Sequence, residues 1–92
     1  MNSINKYSKL FNFLGAWFPD MDIEDITEEE VVEKYKKTIE QDELKSIILD
    51  IQNIKIEIDN YWEQVMKETN LFFKNSNEVS EWLDLINQYL EK

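Results

Sequence analysis

The residues best suited to chemistry lie in one acidic segment, residues 20–33. It holds eight carboxylates and no basic residue: Asp20, Asp22, Glu24, Asp25, Glu28, Glu29, Glu30 and Glu33. Carboxylates this close together can bind a cation, supply an acid–base pair, or attract a basic partner over a long range. The plainer alternative is a solvated loop followed by the acids that favour a helix N-terminus. Because the acids outnumber what a helix start needs, we favour a surface for a basic partner.

The first two kinds of chemistry have weak support. Asp20, Asp22 and Glu24 share the one-three-five spacing of an EF-hand loop, but the sixth position is Asp25 instead of Gly, and the twelfth is Val31 instead of Glu. A carboxylate pair for acid–base catalysis needs an apolar pocket and a substrate cleft, for which a 92-residue chain has little volume. We therefore expect no metal site and no catalytic residue.

Composition points the same way. The chain has no His, no Cys, no Arg and one Gly, and its formal net charge is −10. These absences remove the usual general base, thiolate chemistry, bidentate phosphate recognition and glycine-rich phosphate loops. Strong negative charge also repels nucleic acid. We expect a non-enzymatic protein without a cofactor, whose partner is a basic protein.

The elements that hold these residues are predicted to be helices. Gly and Pro occur once each, and apolar residues recur at helical spacing. With 42% hydrophobic residues, the chain can fill one core, so we predict a single domain over residues 1–92, an all-α bundle of about five short helices. No stretch approaches the roughly 20 apolar residues that span a bilayer. We expect a cytoplasmic protein that does not bind membranes.

Helix boundaries follow from capping signals. Thr27 with Glu30 predicts a capping box that starts the second helix, and Asn70 suits a left-handed cap that ends the fourth. The alternation of Ile54, Ile56 and Ile58 predicts an irregular connection over residues 54–59. The five predicted helices run from about Ser3 to Trp17, from Thr27 to about Glu40, from a cap at Asp42 to about residue 54, from about Asp59 to Thr69, and from the polar run ending at Asn77 to about Leu90.

Aromatic residues are predicted to be mostly core. Eight were considered as binding anchors: Trp17, Phe18, Tyr61, Trp62, Phe72, Phe73, Trp82 and Tyr89. At helical spacing, such residues usually pack inside the fold. Tyr61 is the exception, because it lies off the apolar stripe of its helix, and we predict that it faces solvent or a partner.

The order of motifs resembles a known family, the immunity proteins of bacterial contact-dependent growth inhibition systems. The resemblance rests on Phe13-Leu14-Gly15-Ala16-Trp17-Phe18-Pro19-Asp20-Met21-Asp22, then Glu43-Leu44, Ile47-Ile48, Phe72-Phe73 and Trp82-Leu83. Met21 departs from the aromatic residue that the family's turn has after Asp20. The resemblance implies a cytoplasmic protein that binds and neutralises the toxic C-terminal domain of a growth-inhibition effector. It carries no interface residue over by position.

Together, these observations give one leading hypothesis. Partner-binding residues on an acidic surface dock on the basic groove of a nuclease-type toxin and occlude it: Asp20, Asp22, Glu24, Asp25, Glu28, Glu29, Glu33 and Tyr61. The alternative is an acidic helical adaptor or regulator that binds a basic host protein, including as a nucleic-acid mimic. A third interpretation is an obligate oligomer. The sequence leaves the oligomeric state open, with a monomer favoured.

Overall fold

A computed structural model describes residues 6–92, apart from the side chain of Asp22. In this part of the chain the regular structure is entirely helical, which confirms the all-α prediction. Five helices have nine residues or more, and one is a single turn. They are α1 (Ser8–Trp17), α2 (Met21–Glu24), α3 (Glu28–Lys36), α4 (Gln41–Ile56), α5 (Ile58–Thr69) and α6 (Ser76–Glu91).

The start of α3 confirms the predicted capping box. The Thr27 hydroxyl oxygen accepts a hydrogen bond from the Glu30 amide at 3.2 Å, and a Glu30 carboxylate oxygen accepts one from the Thr27 amide at 3.1 Å. The predicted end near Glu40 is wrong, because α3 stops at Lys36. Both the Thr38 amide and its hydroxyl donate to the Tyr35 carbonyl, at 2.9 and 2.8 Å, and this local turn replaces further helix.

The predicted irregular connection at residues 54–59 is wrong. Helix α4 runs to Ile56, and Glu57 alone separates it from α5. Ile54 is fully buried, whereas Ile56 is 83% exposed. Their alternation therefore reflects the two sides of a helix at a sharp corner, and not an extended segment. The cap of α4 is also Glu40 instead of Asp42, which lies in the first turn.

The predicted ends of α1 and α5 agree with the structure, whereas α6 begins within the polar run that was predicted to precede it. Asn70 adopts the predicted left-handed conformation after α5, with φ of 59°. Helix α6 begins after Asn75, whose side-chain oxygen accepts from the Glu78 amide at 3.0 Å. Helix α1 ends at Trp17 as predicted. Its predicted start at Ser3 lies outside the described residues.

The core contains an aromatic row that joins α1, α3 and α6. Phe13 stacks on Tyr35 with ring centroids 4.1 Å apart, Phe18 packs edge-on against Phe13 at 5.4 Å, and Trp82 packs edge-on against Phe18 at 5.0 Å. Helix α6 contacts α3, α4 and α5, while α1 contacts α4 and α5. The row therefore fixes the end of α1, where the acidic segment begins, against the centre of the fold.

Candidate partner-binding surface

Most of the net charge comes from the acidic segment. Its eight acids and no base contribute −8, whereas the other 78 residues hold 12 acids and 10 lysines, a net charge of −2. The segment covers the turn after α1, the single-turn helix α2 and the first half of α3. Asp25 reverses the chain between α2 and α3 in the left-handed conformation, with φ of 55°. Asp is one of the few non-glycine residues that adopt it readily.

Part of the acidic segment serves the fold. A Glu28 carboxylate oxygen accepts a hydrogen bond from the Trp82 indole nitrogen at 3.2 Å. Glu29 forms an ion pair with Lys92 at 2.8 Å, which raises the pKa of the lysine. We call these four residues the α3–α6 seam. Glu28 and Glu29 were predicted to bind a partner, and the structure gives each of them a donor within the same chain.

The remaining acids are more available. Asp20, Asp25 and Glu33 are exposed, and within the described chain their carboxylates make no hydrogen bond or ion pair. Glu24 is exposed and has one long ion pair, 3.8 Å from its carboxylate oxygen to the Lys34 ammonium. We call Asp20, Glu24, Asp25 and Glu33 the acidic face. The predicted site residue Asp22 belongs to α2, but its side chain lies outside what the structure describes.

A groove of about 320 Å³ adjoins the acidic face. It is lined by four apolar residues, Ala16, Trp17, Ile26 and Val31, which we call its wall, and by three charged residues, Asp20, Glu24 and Lys34, which we call its rim. Trp17 is held by Tyr35, which meets it edge-on with centroids 5.5 Å apart. Burial, followed by the nearby Glu43 carboxylate, raises the pKa of Tyr35 to about 12, so this support remains neutral at physiological pH.

Tyr61 does not join this surface. Its side chain is half-buried, and its ring packs edge-on against Tyr7 at 5.1 Å and beside Phe11 at 6.3 Å. The prediction that it lies off the core is therefore wrong, because α1 covers that side of α5. Its contacts are near the start of α1, whereas the acidic segment follows the end of that helix. A role for Tyr61 in partner binding remains a prediction.

Four large apolar side chains are exposed in the described residues, Ile23, Leu49, Ile56 and Phe72, and the sequence interpretation did not foresee two of them, Ile23 and Phe72, as surface residues. Ile23, on α2 in the middle of the acidic segment, is 83% exposed. Its signal was a lone large apolar residue among acids. Phe72 is 81% exposed, so its predicted place in the core is wrong. It lies outside the helices, where neighbouring side chains diverge, and Phe73 is the member of the pair that turns inward.

A second cluster of charged residues lies at the corner between α4 and α5. The Glu57 carboxylate accepts hydrogen bonds from the Tyr7 hydroxyl and from Lys6, the latter at 2.9 Å. The Lys6 hydrogen bond, and then that of Tyr7, hold the pKa of Glu57 below its usual value, while burial raises the pKa of Tyr7 to about 12. This cluster joins the start of α1 to the corner, so we assign it to the fold.

The described residues hold neither a metal-binding cluster nor a membrane-spanning helix. In residues 6–92, apart from the Asp22 side chain, no three metal-ligating side chains come together to hold an ion. Among the helices of the same residues, none combines the length and the apolarity that a bilayer crossing requires.

Comparison with known proteins identifies the family. A family model described as CdiI immunity protein matches residues 6–90, whereas no curated protein and no solved structure matches the chain. The match covers both the acidic segment and all six helices. It confirms the resemblance seen in the order of sequence motifs. The chain therefore belongs to the CdiI immunity protein family, whose members bind and neutralise a cognate toxin of contact-dependent growth inhibition.

Proposed function

We propose that this protein binds the toxic C-terminal domain of its cognate effector through the acidic face and covers the toxin's basic surface. The observation that carries the proposal is a concentration of exposed carboxylates, those of Asp20, Asp25 and Glu33, that make no hydrogen bond or ion pair within residues 6–92. Exposed carboxylates attract a cationic partner before contact. Once the interface removes their water, they gain the most from the partner's cations. The rest of the chain is close to neutral, so the attraction is concentrated on one side.

The proposed toxin is a nuclease. An enzyme that acts on a polyanionic nucleic acid needs a basic groove, because phosphate contacts supply much of the binding free energy. An acidic face is complementary to such a groove and competes with the substrate for the same cations. A standard interface of about 1,600 Å² uses roughly 20 to 30 residues on each side. The acidic face would therefore be the centre of a larger contact.

The proposal also specifies how the protein acts. Neutralisation occurs by occlusion, without catalysis and without a cofactor, and one immunity monomer covers one toxin domain. The complex forms in the cytoplasm, where the toxin meets its nucleic-acid substrate. Neither nucleic acid nor a membrane is a binding partner of the immunity protein itself.

The test compares two triple variants with the same change in net charge. The first neutralises three of the four residues of the acidic face, with Asp20→Asn, Asp25→Asn and Glu33→Gln, and keeps Glu24. The control neutralises Asp59, Glu63 and Glu81, which are exposed on α5 and α6 and whose carboxylates make no hydrogen bond or ion pair within the described chain. Stopped-flow association with the purified toxin domain should slow about tenfold for the first variant at low salt, with little change for the control.

Salt dependence gives a second readout of the same complex. The association rate of the acidic-face variant should fall less steeply with ionic strength than that of the wild type. Co-expression with the toxin should show weaker protection of the cell by this variant. Equal association rates for the two triple variants would contradict the acidic face as the contact. If neither variant lost binding, the result would favour an exosite elsewhere on the chain.

A further inference from the structure

We propose that the groove beside Trp17 is a receptor for one long basic side chain of the toxin domain, with arginine the preferred residue. This inference rests on the proposed function, because it names the chemistry that the toxin presents to the acidic face. The groove offers two things together, an apolar wall and a negative rim. Arginine and lysine are the side chains that match both, since each carries a charged end on an aliphatic stem.

The rim is built by a single helical turn. Asp20 and Glu24 are four residues apart, and the Glu24 amide donates to the Asp20 carbonyl at 3.0 Å. Side chains at this spacing lie on the same side of a helix, with Cβ atoms about 5 to 6 Å apart. Both carboxylates line the groove, so a cation at its mouth interacts with both.

The wall suits the rest of such a side chain. Ala16, Trp17 and Ile26, none of which is fully buried, supply apolar surface for the methylene stem, whereas Val31 is 1% exposed and adds little. An indole ring also attracts a guanidinium or ammonium group to its face, and arginine adds planar stacking. Because Tyr35 packs against Trp17, the indole is already positioned before a partner arrives. A preorganised wall lowers the ordering cost of binding.

Lys34 shows where a positive charge is accommodated. Lys34 lines the same groove, and its ammonium lies 3.8 Å from a Glu24 carboxylate oxygen. The pair is weak, since the separation exceeds a hydrogen bond and both side chains are more than half exposed, at 55% and 53%. A basic side chain from the toxin would therefore displace Lys34 at little cost. In the free protein, Lys34 competes for the site.

Other occupants fit the groove less well. An anionic group would meet Asp20 and Glu24 at the rim. A calcium ion needs six to eight oxygen ligands, and the groove supplies two carboxylates beside an apolar wall. A purely apolar segment would leave the Asp20 carboxylate without a partner and Glu24 with only its long ion pair to Lys34. Charge complementarity thus selects a basic side chain.

The first experiment uses N-acetyl-arginine amide as the probe, titrated into the isotopically labelled full chain and followed by NMR. The expected result is a saturable shift of the Trp17 indole signal, which N-acetyl-citrulline amide, the neutral analogue of the same shape, does not produce. Glu24→Gln should abolish the shift. Binding of the citrulline compound with equal strength, or shifts that never saturate, would overturn the inference.

Lys34→Gln provides the sharper test, because it should strengthen binding. Removing a weak surface ion pair from the free protein should tighten probe binding about two- to fivefold. The matched control is Lys67→Gln, which makes the same charge change at an exposed lysine of α5. This lysine has no side-chain partner within the described chain, so its replacement should leave the affinity unchanged. If both variants tightened probe binding equally, net charge alone would explain the effect, and the inference of a specific binding groove would be overturned.

The purified toxin domain separates this inference from the proposed function. If the groove receives a toxin side chain, Lys34→Gln should slow toxin dissociation and Glu24→Gln should accelerate it. If both leave dissociation unchanged while the acidic-face triple variant still slows association, the groove inference fails and the proposed function stands. If the triple variant also has no effect, the acidic face is not the toxin contact and both proposals fail.

Discussion

Two parts of the acidic segment use the same kind of side chain differently. At the α3–α6 seam, Glu28 accepts a hydrogen bond from the Trp82 indole of α6, and Glu29 accepts one from the ammonium group of Lys92, the C-cap of that helix. On the acidic face, Asp20 and Asp25 are exposed and have no such donor within the described chain. The two sets are only a few residues apart in sequence. What separates them is whether α6 packs against that part of the chain.

This difference separates the carboxylates that stabilise the fold from those that are available to bind a partner. Removing the Glu28 carboxylate leaves the partly buried indole donor of Trp82 without its acceptor, which costs stability. Removing one from the acidic face instead relieves repulsion among neighbouring acids and changes the field that a partner meets. Substitutions at the seam should therefore lower the free energy of unfolding, whereas those on the acidic face should alter toxin binding.

The largest effect should come from Trp82, the aromatic residue of the seam. Trp82→Ala removes packing against Phe18 and Phe73 together with the donor to Glu28, at a cost of about 3 to 5 kcal/mol. Guanidinium denaturation followed by circular dichroism measures it. Trp82→Phe retains a ring in the row and should cost less. Equal losses from the two variants would show that the indole hydrogen bond outweighs the packing.

A smaller effect is expected at Thr27, which lies between the two parts. Thr27→Ala removes the capping box and should lower the free energy of unfolding by about 1 kcal/mol. Thr27→Ser keeps the accepting oxygen and serves as the control. Toxin affinity of the folded variant should not change, since Thr27 carries no charge. An affinity loss larger than the stability loss would place the start of α3 inside the interface.

The smallest stability effect is expected for Lys92→Gln, which frees Glu29 from its ion pair. The loss should be small, because both side chains are exposed at the surface. Toxin association should become faster than for Lys67→Gln, because only the Lys92 change adds an unpaired carboxylate beside the acidic face. An identical acceleration in both would assign it to net charge alone.

The Lys92 pair also has a defined pH dependence. Glu29 raises the pKa of Lys92 above its usual value of 10.5, so the stabilisation is complete at neutral pH and is lost as the pH rises through the raised pKa. Wild type and Lys92→Gln should therefore differ in unfolding free energy at pH 7 and converge in strong alkali.

Local signals in the sequence predicted the fold better than the site. The Thr27 capping box and the Asn70 cap depend on residues within a few positions, and both were predicted. The α4–α5 corner was not, because Ile54, Ile56 and Ile58 give the same alternation in a strand and at a helix end. The donors of the seam are 54 and 63 residues away from their acceptors. No local sequence pattern could show which acids would accept hydrogen bonds from these donors.

The single turn of α2 has a consequence for motion within the molecule. It is anchored by Phe18 and Met21, which are buried, while Ile23 and Asp25 face solvent. One turn can open by breaking few hydrogen bonds and exposing little apolar surface, whereas the buried stripe of α6 opens only with the whole fold. Amide hydrogen exchange should therefore be fastest where the groove has its rim. A bound partner would then slow amide hydrogen exchange most at α2, where exchange is fastest in the free protein.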